Sequence, residues 1–222
     1  TFTTCGQTGR YGPDQNTCDG SSGYLGTNLE GLVTISTQGI QEWTVPRTGT
    51  YTILATGADG GNTTYYSSNN QGGQGATMQG EFELTKGDVL QLLVGQTGET
   101  AFYASGGGGG SFVVSSSDEP LLIAGGGGGI RYNYDDYTEY GSSSTNGNGA
   151  SNNSSNGGSN GSGGNSYSYG ASGGGGLLTD GGDGWQSCTG GLAFVNDGIG
   201  GNNYGTSGGK GGFGGGGGGS GY

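Results

Sequence analysis

The stretch GGGGGSFVVSSSDEPLLIAGGGGG (106–129) sets two short apolar segments between two runs of five glycines. Segments 110–116 and 120–126 are rich in Val, Leu and Ile, and the sequence Asp118-Glu119-Pro120 between them is typical of a turn. We expect the two segments to pair as neighbouring strands of a sheet. The two glycine runs then leave the sheet from these strands.

Glycine makes up 62 of the 222 residues, and further runs stand at 173–176 and 214–219. Such a composition ordinarily indicates a disordered linker. A glycine run can also adopt an extended threefold helix like polyproline II, which has no internal hydrogen bonds. Several such helices can bond to one another because no Cβ holds them apart. We predict that the runs form a bundle of polyglycine II helices that rests on the sheet.

Most other apolar residues fall in short segments that alternate with a period of two and are bounded by turn residues. No segment shows sustained helical periodicity. The pattern predicts an all-β protein, an antiparallel β-sandwich or jelly roll without substantial α-helix. The predicted strands lie at 31–36, 39–45, 49–57, 76–84, 88–98, 110–116, 120–126 and about 190–196.

The composition divides the chain into two parts. Residues 1–38 are an N-terminal extension with a strand of its own, and residues 39–222 are a glycine-rich domain. In this domain we expect sandwich strands within 39–124 and about 190–196. Polyglycine and loops fill 125–189 and 197–222.

The cysteines and the sequons point to the outside of a cell. Cys5 and Cys18 enclose a loop whose length suits a disulfide worth about 3 kcal/mol in the chain-entropy model, whereas a zinc site is the alternative in a chain without histidine. Cys188 is then unpaired or joins two chains. Four sequons are candidate N-glycosylation sites: Asn62, Asn152, Asn153 and Asn160. We predict an extracellular or cell-surface location.

The charge excludes several classes of partner. The formal net charge is −12, with only five Lys and Arg residues, so neither nucleic acid nor an anionic membrane surface is an expected partner. No apolar run reaches the length of a transmembrane helix, and no membrane insertion is expected.

Chance motifs are expected in a chain this rich in glycine, and none of them predicts an enzyme or a cofactor. Gly170-Ala-Ser172-Gly-Gly reads as a hydrolase elbow, but there is no histidine for a triad. Lys210 sits in a phosphate-loop-like segment that lacks the following Ser or Thr. Asp135-Asp136 and the pair Asp180 and Asp183 could offer carboxylates to calcium, although turn formation is the simpler interpretation, and no metal site is predicted.

Six tyrosines in the polar segment 130–170 form a candidate interaction surface. An exposed tyrosine gives amphipathic contact area at low entropy cost, so these rings could stack on glycans or on a neighbouring subunit. Packing against the glycine bundle is an equally good interpretation. The residues are Tyr132, Tyr134, Tyr137, Tyr140, Tyr167 and Tyr169.

Three motifs are specific enough to suggest a family. They are W-x-V-P-x-T-G-x-Y (43–51), L-x-x-G-D-V-L (84–90) followed by L-V-G-Q (93–96), and P-L-L-I-A-G-G-G-G-G (120–129). With them, residues 39–222 resemble the glycine-rich domain of the anaplastic lymphoma kinase and leukocyte tyrosine kinase receptor ectodomains, and a wider set of glycine-rich extracellular proteins. The resemblance implies a TNF-like β-sandwich that carries bundled polyglycine helices. It implies no signalling, because these residues contain no kinase or membrane segment, and it offers no ligand-binding motif.

The resemblance also suggests how the chain associates. Members of this family usually continue after a segment like 211–222 into further glycine runs and a closing strand, and a sandwich without that strand has an open edge that another chain can pair with. The candidate donated strand comprises Leu32, Val33, Thr34 and Ile35. We hypothesise a self-associating extracellular structural protein, the subunit of a filament assembled by strand exchange. The alternative is an adhesin or receptor-like module that binds protein or glycan through tyrosine-rich loops.

Overall fold

The computed structural model describes residues 1–65, 70–132, 140–142, 144, 146–149, 156–166 and 170–221. These residues form one short α-helix, seven strands and a 3₁₀ helix. In chain order the elements are α1 (Gln15–Asp19), β1 (Val33–Thr37), β2 (Ile40–Thr44), β3 (Gly49–Thr56), β4 (Thr77–Leu84), β5 (Val89–Leu93), β6 (Ser111–Ser115), β7 (Pro120–Ala124) and the 3₁₀ helix Phe194–Asn196.

The strands form two antiparallel sheets. One has five strands in the order β1-β2-β5-β6-β7, and the other consists of β3 and β4. This arrangement confirms the predicted all-β sandwich with almost no helix. A TNF-like topology stays an implication of the resemblance.

The strands β6 and β7 pair with each other, as the sequence of residues 106–129 predicts. Ser111, at the start of β6, lies opposite Ala124, at the end of β7. The glycine runs 106–110 and 125–129 therefore leave the same end of this strand pair side by side. The register of the strand pair thus places the two runs next to each other.

One face of the five-stranded sheet packs against β3 and β4. Its inward residues alternate with those of the opposite face, as the period of a strand requires. The two-stranded sheet covers this face only in part, and its inward side chains of Tyr51, Ile53, Met78 and Phe82 are half-buried. The buried residues of this core are Val45, Ala55, Leu84, Leu90, Leu92, Val113, Leu122 and Ala124.

The opposite face of the five-stranded sheet packs against the glycine-rich part of the chain. The sheet contributes Ile40, Leu93, Phe112 and Val114, and the glycine-rich part contributes three buried side chains: Leu177, Phe194 and Phe213. The five-stranded sheet is therefore the middle of three layers. These few large side chains form the apolar contact between the glycine layer and the sheet.

The predicted strand at about 190–196 is wrong, because the chain forms a 3₁₀ helix there. The Asp180 carboxylate accepts hydrogen bonds from Ala193 N–H at 2.7 Å and from Asn196 Nδ2 at 2.9 Å. Asp197 follows in the left-handed region, with φ of 72°. These constraints turn the chain, so that Phe194 alone is buried against the sheet and no alternating face forms.

The predicted donated strand lies in the chain's own sheet. Val33 of β1 pairs with Trp43 of β2, and Thr34 pairs with Glu42. The two strands are joined by a two-residue turn, in which Gly39 has φ of 86°. Val33 and Thr34 thus pair within their own chain, the Ile35 N–H donates to Gln15 Oε1, and Leu32 immediately precedes β1.

The N-terminal extension is built into the sandwich. Cys5 and Cys18 form a disulfide with 5.0 Å between their Cα atoms, and both are fully buried. The Tyr24 hydroxyl donates to Oε1 of the buried Gln41, whose Nε2 donates to the carbonyl of Thr3 at 2.8 Å. This network holds the extension over β2, beside the face that β3 and β4 cover.

Candidate interaction surfaces

The glycine runs lie side by side and exchange backbone hydrogen bonds, as the bundle hypothesis requires. The run 106–110 lies among four other segments, and its N–H and C=O groups bond to all of them. These bonds include Gly61 N to Gly106 O at 2.8 Å, Gly109 N to Gln96 O at 3.0 Å, Gly108 N to Gly127 O at 2.8 Å and Gly107 N to Gly217 O at 2.9 Å. That each run is a threefold polyglycine II helix stays a prediction.

The spacing between the segments leaves no room for a side chain. An ideal Cβ would stand 1.7 Å from the Phe213 oxygen at Gly109 and 1.8 Å from the Lys210 oxygen at Gly106. At Gly127 it would stand 1.8 Å from the Gly73 oxygen. Glycine is required at these positions because backbone touches backbone.

One edge of the five-stranded sheet is protected by a side chain, whereas β7, at its other edge, has no outer strand neighbour among the described residues. The outer edge of β1 is covered by Gln15 of α1, whose Nε2 donates to Val33 O at 3.1 Å and whose Oε1 accepts from Ile35 N–H at 2.7 Å. The side-chain amide thus occupies the place of a further strand. Neither β3 nor β4 has a second strand neighbour among the described residues, so both of their outer edges are open to pairing.

The outer face of the two-stranded sheet is also exposed. Thr50, Thr52 and Thr56 line β3 on this face, and Leu54 between them is 63% exposed. On β4, Glu81 and Glu83 lie on the same face, opposite Thr52 and Thr50. One exposed leucine therefore stands in a β-branched row beside two carboxylates.

Only two of the six predicted tyrosines can be placed. Tyr134, Tyr137, Tyr167 and Tyr169 lie outside the described residues. Tyr140 is 58% exposed. Tyr132 belongs to an aromatic cluster that the sequence interpretation missed, because its other members lie in two distant segments of the chain.

The aromatic cluster consists of Tyr65, Phe102, Tyr103 and Tyr132. The ring centroids of Tyr65 and Tyr132 are 4.5 Å apart, and those of Tyr103 and Tyr132 are 5.0 Å apart. Phe102 is 44% exposed, and the Arg131 guanidinium lies 5.7 Å from the Tyr132 ring centroid. The cluster presents aromatic surface and one cation.

Cys188 is fully buried in the glycine bundle. Its Sγ donates to the carbonyl of Gly218 at 3.2 Å. Burial raises the pKa of the Cys188 thiol above its ordinary value, and the Ser172 hydrogen bonds oppose this rise. A disulfide to another chain would require the bundle to open at this point.

Two of the four sequons lie in the described part of the chain. Asn62 and Asn160 are both exposed. Asn62 Oδ1 accepts from Gly72 N–H at 3.1 Å. Asn152 and Asn153 lie outside the described residues, and glycosylation at all four sites stays a prediction.

The candidate calcium carboxylates form internal hydrogen bonds. Asp180 caps the 3₁₀ helix region, and Asp183 accepts from Gly190 N–H at 2.9 Å; Asp135 and Asp136 lie outside the described residues. Within the described ranges no cluster of three His, Cys, Asp or Glu residues could hold a metal ion. No helix in those ranges is long and apolar enough to cross a membrane.

A comparison with known proteins found a similar segment in a receptor. The chain is 38% identical over 104 residues to the leukocyte tyrosine kinase receptor of Mus musculus. The match covers 45% of this chain and 11% of the receptor, so the chain spans about a tenth of that relative's length. No family model matches the chain.

Proposed function

We propose that this protein is an extracellular structural protein that self-associates by adding strands to the two-stranded sheet. One observation carries the proposal: β3 and β4 face a sheet of five strands, and the outer edges of both are unpaired in the described structure. The buried disulfide and the similarity to a segment of a receptor support the extracellular location. The expectation that the protein is not an enzyme stays a prediction.

Adding a strand to this sheet would bury apolar surface that a single chain leaves exposed. A two-stranded ribbon is marginally stable by itself. The inward side chains of Tyr51, Ile53, Met78 and Phe82 are half-buried against the five-stranded sheet. A strand from a second copy would cover these residues and pair with the free N–H and C=O groups of the edge.

Protection of one sheet edge removes it as a site of association. The outer edge of β1 is covered by Gln15, so β1 can neither be donated to another subunit nor accept a strand from one without breaking these hydrogen bonds. The edges of β3 and β4 differ from each other in sequence. Pairing β3 of one subunit with β4 of the next is a heterologous contact, which builds an open filament unless the rotation closes into a ring.

Leu54→Glu is expected to weaken self-association by about tenfold or more, which corresponds to about 1.4 kcal/mol. The substitution replaces an exposed apolar side chain of β3 with a negative charge on the face that also carries Glu81 and Glu83, so a second, equally charged copy would be repelled. Sedimentation velocity over a wide range of concentration, with electron microscopy of the assemblies, measures the effect.

The matched control is Leu25→Glu, because Leu25 is 56% exposed and belongs to the N-terminal extension and not to β3 or β4. This variant should associate like the unmodified chain. A chain that remains monomeric at high concentration contradicts the proposal. So does a Leu54→Glu variant that assembles as readily as the Leu25→Glu control.

The aromatic cluster favours a second candidate function, a module that binds glycans or proteins. Phe102 and Tyr132 offer ring faces of the kind that stack on sugars, and Arg131 adds a cation. The sedimentation experiment separates the two functions. If the chain is monomeric at every concentration, the function as a binding module is favoured over self-association.

A further inference from the structure

A cavity of about 1280 Å³ runs through the glycine-rich layer. Its lining combines the backbone of six extended segments with side chains that include Met78 of β4 and Leu121 and Ile123 of β7. The six segments are 105–110, 125–129, the described part of 140–149, 156–165, 170–176 and 214–218.

The six segments form a closed ring around this cavity. Neighbouring segments are joined by backbone hydrogen bonds, except that segment 140–149 meets 125–129 by close contact, with the ideal Cβ of Gly141 2.5 Å from Gly125 O. The bonds are Gly108 N to Gly127 O, Gly107 N to Gly217 O, Gly175 N to Gly215 O, Gly164 N to Gly174 O and Gly147 N to Gly158 O, all between 2.8 and 2.9 Å. Six segments around one axis are the arrangement that surrounds each member of a close-packed bundle.

Glycines facing the cavity have space that the others lack. The nearest atom to an ideal Cβ lies 3.1 Å away at Gly174, 3.3 Å at Gly107 and 3.8 Å at Gly125. On the other side of the same run, the corresponding distance at Gly109 is 1.7 Å. The cavity side of the ring could therefore accept further atoms where the outer side could not.

The walls also offer unused hydrogen-bonding groups. The N–H groups of Gly158, Gly174 and Gly217 donate to no acceptor within the described residues, and all three residues line the cavity. These N–H groups belong to three neighbouring walls, so a ligand that fits must present carbonyl oxygens to these three walls along the axis. An extended glycine chain does so, because its carbonyls point in three directions about a threefold helix and no Cβ intervenes.

We propose that this cavity binds an extended glycine-rich segment of another polypeptide chain. The segment would lie parallel to the six walls and accept hydrogen bonds from their free N–H groups. About five residues would span roughly 15 Å of the cavity at ~3.1 Å per residue. Residues with side chains would be excluded, since a Cβ would hold the segment away from the surrounding backbone.

The probe is a synthetic peptide whose centre repeats the run 214–219, flanked by serine and lysine for solubility. A second peptide has alanine in place of every glycine. Calorimetry with the intact chain should show saturable binding of the glycine peptide. The alanine peptide should bind at least about tenfold more weakly, a difference of about 1.4 kcal/mol.

Gly125→Ala and Gly107→Ala test the location of the site. At Gly125 the nearest atom to the new Cβ is 3.8 Å away, whereas at Gly107 the Cβ is 3.3 Å from Gly217 N, whose backbone must shift by a few tenths of an ångström. Both residues line the cavity, so each substitution should reduce binding of the glycine peptide by about tenfold. The control Gly20→Ala, where the nearest atom is the Thr17 oxygen at 3.4 Å, should bind like the unmodified chain. Thermal unfolding of each variant checks that it is folded.

Three results would overturn this inference: no saturable binding, equal binding of the two peptides, or unchanged binding by both folded cavity variants. The inference does not depend on the proposed self-association. Leu54 does not line the cavity, so Leu54→Glu should bind the peptide normally. Loss of self-association with retained peptide binding, or the reverse, shows which of the two proposals fails.

Discussion

Gly109→Ala will destabilise the fold by more than about 3 kcal/mol, a large part of the about 5–15 kcal/mol by which a domain is stable. The new Cβ would stand 1.7 Å from Phe213 O and 2.9 Å from Gly214 Cα. Both atoms belong to the backbone. Phe213 O is also held by the N–H of Gln96 at 2.8 Å, so relief of the clash breaks hydrogen bonds of the bundle. Urea denaturation followed by circular dichroism measures the loss.

The matched control for this substitution lies in the neighbouring run. Gly125→Ala adds the same methyl group at a position whose nearest atom is 3.8 Å away, so its effect should be below about 1 kcal/mol. If both variants unfold at the same urea concentration, the close packing of the runs is refuted. A loss of less than about 1 kcal/mol in the free energy of unfolding of Gly109→Ala would also refute the close packing of the runs.

Phe213→Ala is expected to lower the free energy of unfolding by about 3–5 kcal/mol, the usual range for truncating a buried phenylalanine. Phe213 is fully buried between the five-stranded sheet and the last glycine run. Its ring also closely approaches Gly12 and Gly39, where an ideal Cβ would stand 2.6 and 2.1 Å from ring carbons. The substitution would therefore leave a cavity where three parts of the chain meet.

Denaturation compared with Phe102→Ala checks this expectation. Phe102 is 44% exposed in the aromatic cluster, so truncating it should cost much less than truncating Phe213. The Phe213→Ala variant should also loosen the glycine layer from the sheet. Similar unfolding midpoints for the two variants would show that Phe213 does not attach this layer.

The sandwich could be predicted from the sequence because its signals are local. Period-two alternation and turn residues marked β1 to β7, and the glycine runs on either side of β6 and β7 marked where the bundle begins. The pairing of β1 was not predictable in the same way. The segment 31–36 has strand character, but only the hairpin turn at Gly39 and the cover from Gln15 show that it remains in its own chain.

The sequence predicted that the glycine runs form a bundle, but it did not predict which runs are neighbours. Glycine runs have no side chains that specify neighbours, so their order follows from backbone contacts that no local pattern encodes. The 3₁₀ helix at Phe194–Asn196 illustrates this limit. Its apolar residues predict a strand. The chain turns instead because the Ala193 N–H donates to the Asp180 carboxylate, which lies thirteen residues earlier in the sequence.

The interaction surfaces could be predicted from the sequence only in part, because they depend on contacts between distant segments. The six tyrosines were chosen because they are close in sequence, but the described cluster joins Tyr132 to Tyr65, Phe102 and Tyr103 from other loops. The open edges of β3 and β4 depend on which strands pair. Both features arise from long-range contacts, which alternation and composition do not reveal.

Hydrogen exchange of the glycine amides, followed residue by residue by NMR, tests most directly whether the runs form a hydrogen-bonded bundle. The amides of Gly107, Gly109 and Gly212 donate to backbone carbonyls, and they should exchange as slowly as those of β5 and β6. The amides of Gly174 and Gly217, without an acceptor in the described structure, should exchange faster. If the amides of Gly107, Gly109 and Gly212 exchange at the rate of an unfolded peptide while β5 and β6 stay protected, the bundle does not exist and the runs are linkers.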